Sequence, residues 1–407
     1  MRFSFKHRIA KVACVVLFLI FGAISVAQDA EQTASQPVAT DGIRVSEPVV
    51  YKNLAVYFLH NDERDDREFL TLNDGLKNGL VVVSEKQSEQ VNELLIENKS
   101  DKPLFLQEGD RVTGGKQDRT IYSSLVIKPK SGSMKIPTFC VEQSRWRVGA
   151  KGKQFDGNYN QSYASNSVRS ASKLSKSQGE VWRQVGRTKS DLQKAIKNKD
   201  KTTSLNESLD SKEATASIEP FVDALKNESG KHNDLVGIAF AIDGELREIN
   251  IYPGNDLVKR VYPRLLETYA FDAIVSEHAK KTANAAQAQP DANGAAPAGS
   301  EVQAMMKTIV SNKADRDEAI NRDNRLVINK SENAADGEHV FRCQTDYLGE
   351  PFHLQWLKSK DAVAASDGRQ QLQQNYSVRP NDLQTDNAAD NEPNRQIQQR
   401  GRTENKR

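Results

Sequence analysis

The chain has 407 residues, a formal charge of +2, and 28% charged residues. This near-neutral balance gives no electrostatic ground for nucleic-acid binding by the chain as a whole. A hydrophobic fraction of 37% leaves part of the chain without enough apolar surface to bury itself.

Residues 1–27 read as a secretory signal. Arg2, Lys6, Arg8 and Lys11 precede the run VACVVLFLIFGAISVA, and no acid stands among them. Ser25-Val26-Ala27 supplies small residues for cleavage after Ala27. The run has 16 residues, whereas a spanning helix needs about 20. An uncleaved anchor is the alternative, and the signal segment would then hold the chain to the membrane. A lipoprotein signal needs a Cys just past the cut, but Cys14 lies inside the apolar run. The mature chain is therefore expected to be periplasmic or secreted.

Residues 28–44 are polar and mixed, and read as a linker. Residues 45–358 read as one α+β domain, and its first half as short strands at close spacing. These are VVYKNLAVYFLH, LVVVSE, VNELLIEN, KPLFLQEG, RTIYSSLVIKP and KIPTFCVEQ, separated by Gly-, Asp- and Lys-rich turns. FLTLNDGLKNG, between the first two, is a candidate short helix. The segment from Arg145 to Lys201 carries 14 Lys/Arg against 4 Asp/Glu. Within it, 149–176 reads as a loosely held basic arm, and the whole stretch 145–201 as either a solvated face or a contact for an anionic polymer or lipid. Ser177 and Glu180 have capping-box spacing before a helix that places Val181, Trp182, Val185, Leu192 and Ile196 on one side. SIEPFVDALKNES repeats an amphipathic pattern. LVGIAFAI and LREINIYP flank Asp243-Gly244, a hairpin signal. The next helix carries Pro263, which predicts a kink or restart. Residues 280–300, rich in Ala, Gln, Pro and Gly, read as a flexible insertion. RLVINK, HVFRCQTDY and PFHLQWLK close the domain as strands. From 359 to 407 large apolar residues nearly vanish, which predicts a disordered tail. The fold class expected is α+β: an antiparallel, β-rich sheet or sandwich with several packed helices.

Most chemical signatures are absent. There is no HExxH, CxxC pair, GxSxG or EF-hand loop, and the mature histidines are far apart, so neither cofactor nor metal is expected. EGDRVTGGKQDR resembles a phosphate loop only in part: Gly115 stands where the Lys belongs, and a strand follows rather than a helix. His353 alternates with Phe352 and Leu354, as a packed or rim histidine would. Cys140 and Cys343 are the cysteines left after cleavage; they could pair in an exported protein, or stand as two buried thiols.

One region concentrates polar chemistry. A strand ends at Glu108-Gly109, and a glycine-rich loop then crosses Gly114, Gly115, Lys116, Gln117, Asp118 and Arg119. A later strand ends in Cys140-Val141-Glu142-Gln143-Ser144-Arg145-Trp146. Glycines admit a ligand close to backbone N–H groups. Lys116, Gln117, Arg119 and Arg145 supply donors, and Trp146 an aromatic wall. Glu108 and Glu142 are the candidate acid and base, if folding brings them together. The plain alternative is a hairpin turn at Gly114-Gly115, a surface ion pair of Glu142 with Arg119, and Trp146 in the core.

These same residues carry a resemblance. The loop Gly114 to Arg119, the acidic turn Glu108-Gly109 and the segment Cys140 to Trp146 are similar to the pattern of a bacterial domain family. That family is named for its association with ADP-ribosylglycohydrolases and rhodanese-phosphatase proteins. The likeness covers roughly residues 45–360. It has no established reaction to confer, and by association it points to ADP-ribose or related nucleotides. An export signal fits poorly with those cytoplasmic ligands. The expected function is a hydrolase-like enzyme acting on an anionic or sugar- or nucleotide-containing substrate; the alternative is a non-catalytic envelope module that binds a ligand or partner.

Overall fold

The computed structural model describes residues 40–359, apart from 64, 66, 87–91, 144–154, 157–161, 199, 288–293, 310–314 and 334–337. The expected signal, most of the linker and the tail from 360 onward lie outside the described residues, as do Arg145 and Trp146.

The elements run β1 Arg44–Val45, β2 Val49–Tyr51, β3 Leu54–His60, β4 Leu70–Thr71, α1 Leu72–Lys77, β5 Val81–Glu85 and β6 Glu93–Asn98. Next come β7 Leu104–Leu106, β8 Arg111–Gly114, β9 Arg119–Ile121, β10 Leu125–Ile127, β11 Ser133–Cys140 and β12 Phe155–Asp156. A helical stretch holds α2 Asn166–Ser175, α3 Gln178–Ile196, α4 Leu205–Leu209 and α5 Lys212–Leu225. The chain continues with β13 Leu235–Ile242, β14 Glu245–Ile251, α6 Asn255–Gln287 and α7 Gly299–Ile309. It closes with β15 Arg316–Ala319, β16 Asn324–Asn333, β17 Glu338–Tyr347 and β18 Glu350–Ser359.

A nine-stranded antiparallel sheet has the order β1-β3-β13-β14-β18-β17-β16-β15, with β2 also on β3. A six-stranded sheet, β12-β8-β9-β11-β6-β5, and a three-stranded one, β10-β7-β4, form a second β-module, so the α+β class holds. Strand side chains alternate between faces. In β3, Leu54, Val56 and Phe58 enter the main core with α2, α3, α5 and α6. Ala55, Tyr57 and Leu59 enter a second core that Val302 and Met306 of α7 cover. Both faces are buried, which is why β3 reads as a nearly continuous apolar run. The β-module has its own core, including Val83, Leu94, Leu106, Val112 and Ile136.

A bulge in the β13–β14 pairing skips Arg247, since Ala241 faces Leu246 and Phe240 faces Glu248. Leu246, Ile249 and Ile251 thereby share the outer core, and Glu248 and Asn250 turn inward. His353 and Gln355 of β18 join them among the buried polar residues.

The hairpin at Asp243-Gly244 forms as expected, with φ of +57° and +81°. Ser177 caps α3 by accepting a hydrogen bond from the Glu180 N–H at 3.4 Å. Three expectations need correction. The stretch 149–176 is not all arm, because Asn166–Ser175 is a helix with Val168, Arg169, Ala171 and Lys173 buried. The stretch 280–300 is not all insertion: α6 runs to Gln287 through Ala-, Lys- and Gln-rich chain, residue types that favour helix, and Lys280 pairs with Asp243 at 3.1 Å. The helix also does not restart at Pro263 but runs through it, with the proline exposed.

Candidate functional site

The glycine-rich loop and the end of β11 meet. Gln117 Nε2 donates to the Glu142 carbonyl at 2.9 Å, and the Asp118 N–H donates to Glu142 Oε2 at 3.0 Å. The Val141 N–H reaches the Asp118 carbonyl at 3.0 Å. Asp118 accepts from the Gly114 N–H at 3.1 Å and from Ser204 Oγ at 2.6 Å, and Ser204 also caps α4. Arg119 does not pair with Glu142. Its guanidinium donates to the Gln117 carbonyl at 2.7 Å and to Glu85 Oε1 at 3.4 Å. Glu85, from β5, also accepts from the Lys116 N–H at 3.0 Å. Gly114 and Gly115 have φ of +137° and +53°. A Cβ on Gly115 would lie 2.6 Å from both Glu85 Oε1 and the Phe155 ring, so a glycine is required there. Across 114–119 only Gly114 and Lys116 are partly exposed.

Glu108 belongs to a different centre. The turn 108–111 places three charged side chains inside the molecule, and each grips another element. Glu108 meets Lys173 of α2 at 3.0 Å, with side-chain exposures of 2% and 0%. Asp110 pairs with Arg264 of α6. Arg111 pairs with Asp210, just past α4, at 2.7 Å, and donates to the Ser162 carbonyl at 3.0 Å. Gly109, at φ +84°, lies under Arg169; a Cβ there would sit 2.5 Å from Arg169 Cδ. Arg169 in turn forms a two-pronged pair with Glu248 at 2.7 and 3.0 Å. Tyr269 and Gln355 donate to Glu248 at 2.5 and 2.6 Å.

Electrostatics follow from burial. Burial pushes the carboxyls of Glu108 and Asp110 up, opposed by Lys173 and Arg169 at the first and by Arg264 at the second. Burial also acts on Glu248, but Arg169 and the hydrogen bonds outweigh it, and that carboxyl is held low. His353 is stacked on Tyr252 at 4.8 Å and hydrogen-bonded to Asn250; burial drives it to about 3. It is a packed histidine.

The structure thus gathers Gly114, Gly115, Lys116, Gln117 and Arg119 around Glu142, and separates Glu108 from them. Glu108 is held by Lys173, and Glu142 by the Asp118 N–H, in separate sets of contacts. Cys140 and Cys343 are not joined by a disulfide. Cys140 ends β11 of the six-stranded sheet and Cys343 lies within β17 of the nine-stranded one, and burial raises the thiols to about 11 and about 12. Among the described residues no group of three or more His, Cys, Asp or Glu is placed to hold a metal ion. No described helix is long and apolar enough to cross a membrane. A cavity of about 20 Å³ lies away from the loop, between α2, α3 and α6, where Ser165, Thr188, Thr268 and Asp272 are among its lining residues.

Fold and site together define an α+β protein in which an acidic turn and a Gly-Gly-Lys-Gln-Asp-Arg loop tie two β-modules to a set of helices. Residues 42–348 match the ARG and Rhodanese-Phosphatase-superfamily-associated Protein domain, ARPP-1, and the chain belongs to that family. Comparison with curated proteins and with solved structures gives no match.

Proposed function

We propose that this chain is an exported, non-catalytic binding module of the cell envelope, released after Ala27, that takes an anionic or sugar-containing ligand at the rim of the loop. One observation supports this reading most. Among the described residues, the buried polar groups of the loop engage one another, Glu85, Glu142 and Ser204. A ligand is then met at the partly exposed edge by Lys116; Arg145 and Trp146, outside the described residues, stay candidates from the sequence alone, and the basic stretch up to Lys201 adds attraction for anions. Nucleic acid is not among the ligands proposed.

The test is binding of purified mature protein to immobilised heparin as a model polyanion, and to ADP-ribose by calorimetry. Lys116→Ala should weaken whichever ligand binds by roughly fivefold or more, about 1 kcal/mol for one charge-assisted contact. No binding of either ligand at low salt would contradict the proposal.

The hydrolase reading retains Glu142 as its carboxylate, since Glu108 is engaged by Lys173. Contact of Glu142 with the loop backbone supports that choice. A substrate screen comparing wild type with Glu142→Gln and Lys116→Ala decides it: activity lost in both variants favours the enzyme, and no activity in wild type removes it.

A further inference from the structure

We propose that Lys173 and Glu108 become joined by a side-chain amide bond, a covalent brace between α2 and the acidic turn. Lys173 Nζ lies 3.0 Å from Glu108 Oε2, and both side chains are excluded from water. The ammonium is also 4.3 Å from the centre of the Tyr122 ring and donates to the Tyr122 carbonyl at 2.5 Å. Glu108 Oε1 is buried and has no hydrogen-bond partner. A buried ion pair carries a heavy desolvation penalty, and condensation removes both charges at once.

The geometry fits the product as well as the pair. The bond from Lys173 Nζ to Glu108 Cδ forms, and the bond from Cδ to Oε2 breaks. Oε2 departs as water with two of the three ammonium protons, so no oxidant or co-reactant is needed. The remaining N–H keeps the Tyr122 carbonyl as its acceptor, and Oε1 becomes the amide oxygen. Arg169, whose stem lies against Gly109, adds positive charge beside Glu108, where the intermediate's oxygen would turn negative. Exclusion of water then protects the amide from hydrolysis. The mature chain has no disulfide between its cysteines, so this brace would be its thiol-free counterpart.

Peptide mapping of the purified full chain by mass spectrometry tests the idea. Trypsin should fail to cut after Lys173. The segment 100–111 should appear joined to 170–176, lighter by one water than the two peptides together. Lys173→Met should abolish the joined peptide and release 100–111 alone. The wild-type map decides even if that variant does not fold. Recovery of 100–111 and 170–173 as separate peptides of full mass would overturn the proposal and leave a plain ion pair.

Discussion

At the scale of single residues, the polar signatures of this chain serve two separate centres, and glycines let each one close. Gly109 combines a left-handed backbone with direct contact to Arg169. Gly109→Ala should cost about 2–4 kcal/mol, from strain and overpacking together, read as a drop in urea midpoint with an unchanged slope. A loss under 0.5 kcal/mol would show that the turn relaxes freely. The sequence made the loop legible because glycines, amides and cations stood side by side. It hid Glu85, Ser204 and Lys173, whose partners are remote in the chain: Lys173 lies 65 positions from Glu108. Arg169 and Lys173 did leave one trace. They stand four apart, on one face of a helix, but Ser-, Asn- and Lys-rich surroundings read as a solvated arm.

At the scale of elements, α2 is held by charge as much as by apolar packing. Its buried face offers Val168 and Ala171 to the core, and Arg169 and Lys173 to acids on β14 and the 108–111 turn. Arg169→Met should destabilise by about 3–5 kcal/mol, because Glu248 is left buried without its counter-charge. Arg169→Met with Glu248→Leu should recover part of that loss in the same urea titration. No recovery would mean that Glu248 contributes through Tyr269 and Gln355 alone. Strands such as β13 and β14 were readable from alternation and the Asp243-Gly244 turn. Which face of β14 is inward was not. Its polar positions look like a solvent face until α7 covers the apolar side, and the bulge at Arg247 reverses the alternation along the strand.

At the scale of the whole molecule, buried ionisable groups set the pH response. Burial raises Glu267 on α6 to about 7 and Asp272 to about 6, so the folded state binds their protons more readily than the unfolded chain. For a raised carboxyl, stability is greatest below the unfolded value and falls as pH rises through the folded one. His353, driven to about 3, acts in the opposite sense below pH 6.5. Glu108 and Asp110, also raised by burial, act in the same sense as Glu267, and from pH 6.5, where His353 no longer opposes them, the melting temperature should decline through about pH 7 and then level. Glu267→Gln should flatten that decline in a thermal scan; an equal slope in the variant would remove Glu267 as its source. The ARPP-1 match, residues 42–348, takes in both polar centres.

The central claim is that the loop and Glu142 bind each other to hold the fold, with ligand met only at their rim. The most direct measurement is the equilibrium urea unfolding of Glu142→Ala beside wild type. Leaving the buried Asp118 N–H without its acceptor should lower stability by about 1–3 kcal/mol. A variant as stable as wild type, or more so, would contradict the account, since a carboxylate reserved for chemistry is commonly removed without harm to the fold.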